Sequence, residues 1–118
     1  MAMIGAVAAA LVLSQTLEVV DPGPGDIVPP RLRHLPSPDR FYPPASIAAR
    51  EQGRTVLRCR LVVEGRLKDC VLHESSGFPA LDAAALSMAA LALYSPLTQN
   101  GLPRESVALL PVSWRLGD

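Results

Sequence analysis

A histidine, two serines and an aspartate lie near one another in the sequence, as His73, Ser75, Ser76 and Asp82. These residue types could form a hydrolytic triad, in which an imidazole takes a proton from a serine hydroxyl and a carboxylate orients the imidazole. Serine nucleophiles of hydrolases are often presented on a strand–turn–helix of sequence G-x-S-x-G, and the chain has no such motif. We therefore rank a hydrolase last among the functions considered and expect the protein not to be an enzyme.

Two cysteines and two histidines could supply four ligands to a zinc ion: Cys59, Cys70, His34 and His73. Structural zinc sites hold their ligands at short, regular spacings. His34 instead lies among prolines, His73 is better explained as a solvated strand residue, and the two cysteines are better explained by each other. Glycine motifs for binding phosphates or dinucleotides are also missing from the sequence. We expect no metal and no cofactor.

The charges of the chain balance, with 11 basic and 11 acidic residues and an isoelectric point near 6.7. A protein that binds nucleic acid normally carries a basic excess. The basic residues between positions 54 and 68 lack interleaved aromatic residues, so we interpret them as the solvated face of a sheet. We expect no nucleic-acid partner.

The 118 residues divide into three parts by composition. Residues 2–13 carry no charge, and as a helix they would reach about 18 Å, short of the roughly 30 Å hydrocarbon core of a bilayer. We interpret residues 1–20 as a secretory signal with a cleavage site after Ser14, or as a short membrane anchor. Residues 21–44 hold eight of the 12 prolines and are typical of an extended linker or a disordered tether. Residues 45–118 form the compact domain.

The pattern of the compact domain predicts the order helix, strand, strand, helix, strand. The strands are rich in β-branched residues, and the second helix has a proline near its first turn followed by alanine, leucine and methionine. The predicted elements are a helix at 46–52, strands at 55–63 and 67–74, a helix at 79–93 and a strand at 106–116. This order predicts an α+β domain.

The spacing of apolar residues assigns one face of each element to the core. The assigned residues are Leu57, Cys59, Leu61 and Val63 in the first strand, Leu81, Ala85, Met88, Leu91 and Ala92 in the second helix, and Leu110, Val112, Trp114 and Leu116 in the last strand. Small alanines would let this helix approach the sheet closely.

The first two strands form a predicted hairpin, with Glu64-Gly65 as a two-residue turn. This register places Cys59 opposite Cys70, where directly opposed α-carbons lie about 4.5 to 5.5 Å apart, within disulfide range. We predict a Cys59–Cys70 disulfide, with a pair of buried free thiols as the alternative. The same register places Arg60 opposite Asp69 as an exposed ion pair.

A series of motifs along residues 42–116 resembles the C-terminal domain of TonB-type energy transducers. The matching features, in chain order, are Tyr42-Pro43, Ala48, Gly53, Val56, Cys59, Gly65, SSGFPALDAAAL at 75–86, Pro96, Asn100-Gly101, Pro103 and LLPVSWRL at 109–116. The apolar start and the proline-rich segment are similar to that family's layout as well.

The resemblance implies a periplasmic domain in which two helices pack on a three-stranded antiparallel sheet. It implies as partner the TonB-box peptide of an outer-membrane transporter, in support of energy-coupled transmembrane transport. If the N-terminal segment is an anchor, an inner-membrane proton-channel complex becomes a second partner. The alternative is a soluble secreted interaction module with the same fold and no energy coupling, and a homodimer stays open in either case.

Members of this family bind the peptide as an added strand on the last strand of the domain. Main-chain pairing needs no particular side chain, so the contact positions are assigned by their place in the strand. Pro111 lacks an N–H, which favours an edge position for this strand. The predicted partner-binding residues are Val107, Leu109, Pro111 and Ser113 in the strand, together with Tyr42 and Pro43 at the entry to the domain.

Overall fold

The computed structural model describes residues 16–117 of the chain. The predicted cleavage site and most of the predicted signal or anchor segment lie outside the described residues. Within residues 16–117, no helix combines the length and the apolar character needed to cross a bilayer.

The described residues form three helices and nine strands, many of them short. The helices are α1 (Pro38–Phe41), α2 (Pro44–Ala48) and α3 (Pro79–Ala90). The strands are β1 (Glu18–Val20), β2 (Ile27–Val28), β3 (Leu32–His34), β4 (Gly53–Leu61), β5 (Leu67–Glu74), β6 (Leu93–Tyr94), β7 (Leu97–Gln99), β8 (Leu102–Arg104) and β9 (Ser106–Trp114).

The main sheet has four antiparallel strands in the order β1-β9-β4-β5. The three long strands and α3 correspond to the predicted sheet and second helix. The prediction of a three-stranded sheet with two helices is wrong in its counts, because β1 adds a fourth strand and α1 adds a third helix. The predicted first helix at 46–52 corresponds to α2, which ends earlier, at Ala48. Two small sheets, β2-β7-β8 and β3-β6, were also not predicted.

The core lies between the main sheet and α3. In α3 the residues Leu81, Ala85 and Met88 are fully buried, and the alanines bring the helix close to the sheet. Leu110, Val112 and Trp114 of β9 are also fully buried, as the alternation predicted.

Two residues assigned to the core are exposed instead. Val63 is 42% exposed because β4 ends at Leu61, so the strand alternation does not extend to it. Leu91 is 49% exposed because it caps the end of α3, where the chain leaves the helix.

The β4–β5 hairpin contains the predicted disulfide and the predicted ion pair. Cys59 and Cys70 are bonded, with their α-carbons 4.1 Å apart. Arg60 Nε lies 2.9 Å from Asp69 Oδ2, and Glu105 joins the same guanidinium at 3.0 Å. The hairpin thus carries a covalent link on one face and charged groups on the other.

The register of the hairpin follows the prediction only in its middle, because Val56 at the far end pairs with Glu74 instead of His73. Arg58 pairs with Val71 as predicted, but Arg60 pairs with Lys68 rather than with Asp69. The N–H of Val62 donates to the carbonyl of Arg66, so the turn is longer than two residues. A bulge at Asp69, whose φ is 53°, takes up the difference.

Gly65 in the turn is the glycine that the structure most clearly requires. Its φ is 89°, and a Cβ there would lie 1.9 Å from the Tyr94 carbonyl oxygen. The N–H of Tyr94 donates to the Gly65 carbonyl at 2.8 Å, so the turn is held against the chain that follows α3.

The segment before α1 runs along the domain, and we call residues 16–36 the N-terminal arm. Its β2 pairs with β7 and its β3 pairs with β6. Arg104 donates to the Pro22 carbonyl, and Gln99 Nε2 donates to the Pro24 carbonyl at 2.7 Å. Much of the proline-rich segment is therefore extended, as expected, but paired with the domain. The division of the chain at residues 20 and 44 stays a prediction.

Candidate functional site

The outer edge of β9 is the candidate site, and it is built on a strand that is fixed on its inner side. β9 pairs with β4 over nine consecutive positions, from Ser106 opposite Leu61 to Trp114 opposite Gly53. On its outer side it pairs with β1 at Val107–Leu109. No strand of the described residues pairs with the outer side beyond Leu109.

Pro111 shows which backbone groups point outward. It lies opposite Val56 within an unbroken register, and a proline fits inside a sheet when its nitrogen faces the open edge. Because backbone groups alternate in direction along a strand, the N–H groups of Val107, Leu109 and Ser113 also point outward. Backbone groups therefore point to the outer side at every second residue of the strand, and the N–H donor is missing at Pro111.

The C-terminal half of β9 is held in place from the core side by its tryptophan. Trp114 is fully buried, and its Nε1 donates to Thr55 Oγ1 at 3.1 Å. The ring of Tyr42 meets the Trp114 ring edge to face, with the centroids 5.2 Å apart. These contacts fix the strand without using its outer edge, which is what a rigid template for a partner strand requires.

Thr55 in turn donates to Asp82, whose carboxylate accepts several hydrogen bonds at the start of α3. Asp82 accepts from Thr55 Oγ1 at 2.9 Å, from Ser75 Oγ at 2.5 Å, and from Ser76 Oγ and N at 2.8 and 2.9 Å. Burial raises the pKa of Asp82, but these hydrogen bonds outweigh burial and hold that pKa below its usual value of 3.8.

These hydrogen bonds also show what Ser75, Ser76 and Asp82, the candidate triad residues, do in the structure. Both serines donate directly to the carboxylate, and no hydrogen bond among residues 16–117 joins His73 to either serine. A hydroxyl whose proton goes to a carboxylate, with no imidazole beside it, is not arranged as a nucleophile. Ser75, Ser76 and Asp82 therefore tie β5 to α3.

The predicted contact residues do not all lie at the edge. Val107, Leu109 and Ser113 are half-buried and Pro111 is buried, all within β9. Tyr42 is 7% exposed, packs in the core, and donates its hydroxyl to the Glu51 carbonyl. Pro43 is half-buried next to it. Tyr42 thus lies behind the strand, against Trp114, and not on its outer edge.

Sequence reasoning missed the strand that already occupies part of this edge. Glu18, Val19 and Val20 pair with Leu109, Ala108 and Val107. Two adjacent valines before an Asp-Pro turn are a weak strand signal, and they lie at the end of the segment interpreted as a signal or an anchor.

A cavity of about 380 Å³ lies at the seam between the arm and the domain. Its lining includes Leu17, Leu32, Leu35 and Tyr94. Burial raises the pKa of Tyr94 to about 12, so its phenol is neutral at physiological pH. No carboxylate, imidazole or thiol lines the cavity.

Among residues 16–117 there is also no cluster of three or more histidine, cysteine, aspartate or glutamate side chains able to hold a metal.

Comparison with known proteins identifies the family. Residues 38–116 match the family described as the C-terminal region of the Gram-negative bacterial TonB protein. Members of that family are periplasmic interaction domains that engage transporters, and they are not enzymes. No curated protein matches the chain significantly in sequence.

The fold has a solved counterpart. The solution structure of the TonB C-terminal domain of Pseudomonas aeruginosa superimposes with a TM-score of 0.59. The match covers 75% of this chain and 88% of the other, at 18% identity. The similarity of fold and the sequence match over residues 38–116 agree, and the chain belongs to the family of Gram-negative bacterial TonB C-terminal domains.

Proposed function

We propose that this domain binds a short extended peptide of an outer-membrane TonB-dependent transporter by adding it as a strand to the outer edge of β9. The observation that carries the proposal is the edge itself, with its outward N–H groups at alternate residues and a proline that keeps its nitrogen on the open side. Family membership supports a transporter as the partner.

The other edge of the main sheet is less suited to receive a strand. β5 carries Lys68, Asp69 and Glu74, and Asp69 forms a bulge with a φ of 53°. Charges and bulges on an edge strand oppose pairing with another chain. The outer edge of β9 has no charged residue between Ser106 and Trp114, which favours β9 as the acceptor.

The proposal extends to the periplasm and to energy-coupled transport. The Cys59–Cys70 disulfide supports an exported protein, because disulfides persist in the oxidising bacterial periplasm and are rare in the cytosol. The intact mass of protein recovered from its host without reduction tests export. A mass two hydrogens short with the N-terminal segment removed supports a soluble periplasmic module, whereas a retained N-terminus in the membrane fraction supports an anchored transducer.

Peptide binding is tested by titrating the labelled chain with a synthetic TonB-box peptide and following amide signals by NMR. We expect shifts along residues 107–114 of β9. Two peptides with identical side chains provide the control. One is N-methylated at the residues whose N–H faces β9, and the other at the alternate residues.

The first methylated peptide should lose binding and the second should keep it, because strand addition uses one edge of the peptide backbone. Shifts confined to β5, equal binding of both methylated peptides, or no shifts at millimolar peptide even in a variant that frees the outer edge from β1 would each refute the proposal.

A further inference from the structure

The outer edge of β9 is already partly occupied by the chain's own β1. Glu18 lies opposite Leu109 and Val20 lies opposite Val107, in antiparallel register. Leu109 and Val107 are two of the residues whose N–H groups point outward. With β1 in place, the outward groups that stay open along the second half of the strand are the N–H of Ser113 and the carbonyls of Pro111 and Ser113, because Pro111 has no N–H.

A peptide cannot pair along the whole edge while β1 is bound there. These few groups hold an extended peptide less firmly than the whole edge would, since each backbone hydrogen bond contributes little by itself. The two strands therefore compete for the same backbone groups.

The side chains of β1 contribute little to holding it on β9, but the chain that follows β1 is fixed to the domain nearby. Glu18 is exposed and Val19 and Val20 are half-buried. The residues that follow are anchored more firmly, because Arg104 binds the Pro22 carbonyl and Asn100 exchanges hydrogen bonds with Asp26 at 2.8 and 3.0 Å. A short strand on a fixed tether has a high local concentration and can detach while the rest of the arm stays in place.

From this geometry we infer that β1 is an intramolecular competitor of the transporter peptide, and that the peptide binds fully only when Glu18–Val20 leave β9. The inference rests on the proposed function, since it concerns the same edge. The apparent affinity for peptide is then the intrinsic affinity multiplied by the fraction of molecules in which β1 is detached.

A disulfide lock tests the competition. Val20 and Val107 are directly opposed and half-buried, so the full chain carrying Val20→Cys and Val107→Cys can be oxidised to hold β1 in place. Binding of the synthetic TonB-box peptide should be at least about tenfold weaker in the oxidised form than in the reduced form. The unsubstituted chain under the same reductant controls for opening of Cys59–Cys70.

A pair of proline variants tests release of β1. By the alternation of the strand, the N–H of Glu18 faces β9 and that of Val19 faces away. Glu18→Pro should therefore free the edge and strengthen peptide binding by about threefold or more. Val19→Pro is the matched control, because it removes an N–H that β9 does not use, and it should leave the affinity unchanged.

The outcomes separate the inference from the function on which it rests. Equal peptide affinity in the oxidised and reduced forms, or equal effects of the two prolines, with shifts still on β9, overturns the inference alone. Failure of every form to bind, Glu18→Pro included, overturns the proposed function and the inference with it.

Discussion

At the scale of single residues, Asp82 shows how residues that could do chemistry can instead hold elements together. Its carboxylate accepts hydrogen bonds from Thr55 on β4 and from Ser75 and Ser76 after β5. Thr55 in turn accepts from Trp114 on β9. One residue at the start of α3 thus connects the helix to three strands, and it is only 8% exposed.

We predict that Asp82→Asn lowers the free energy of unfolding at neutral pH by about 1–3 kcal/mol. The carboxylate accepts hydrogen bonds with both oxygens, whereas the amide puts an NH₂ donor in place of one oxygen, opposite groups that are themselves donors. The folded-state pKa of Asp82 is lowered. Its contribution is therefore complete above the unfolded value near 3.8 and is lost as the pH falls through the lower folded value. Urea unfolding across this range measures it.

The control for this prediction is Asp69→Asn, which changes a carboxylate that is 74% exposed. It should alter stability by less than about 1 kcal/mol, as expected for a surface ion pair. The difference between the unsubstituted chain and Asp82→Asn should shrink in acid. A difference that stays constant from neutral pH to about pH 2 contradicts the assigned role of the carboxylate.

At the scale of elements, the hairpin separates what sequence pattern predicts from what it does not. The two strands, the facing cysteines and the ion pair follow from alternation and from Gly65. The register near the turn does not follow, because it depends on the longer turn and on the bulge at Asp69. Arg60 donates to the bulged Asp69 and also to Glu105, which is 45 residues away, and the hairpin sequence carries no information about that second contact.

We predict that removing the disulfide with Cys59→Ala and Cys70→Ala costs about 2–3 kcal/mol without loss of the fold. The link spans a sequence separation of 11, and closing so short a loop restricts the unfolded chain modestly. The α3 side of the core keeps its Leu57 and Leu61 contacts. Denaturant unfolding and an NMR spectrum measure the two parts of the prediction.

Val71→Ala is the matched control for the hairpin, since Val71 is the neighbour of Cys70 and is 56% exposed. It should change stability little. An unfolded double-alanine variant would show that the disulfide is required for folding, and an unchanged stability would show that it contributes nothing to the hairpin.

At the scale of the whole molecule, the central sheet and α3 could be predicted and the arm could not. β4, β5 and β9 each have eight or nine residues, enough for alternation to be read. β1, β2 and β3 have two or three residues each, and prolines surround them. Such segments become strands because a partner edge is near, and this information lies in the tertiary structure.

The arm should therefore open separately from the core, at a lower cost in free energy. Asn100 offers a clean test, because its φ of 51° suits glycine and its Oδ1 accepts from the Asp26 N–H at 3.0 Å. We predict that Asn100→Gly accelerates hydrogen exchange at Asp26 and in β2 by about fivefold, the effect of one net hydrogen bond, while β4 is unaffected. Asn100→Asp keeps the acceptor and should leave exchange unchanged. Equal acceleration in β4 would mean that arm and core unfold together, and the tether that keeps β1 beside β9 would then be as stable as the domain itself.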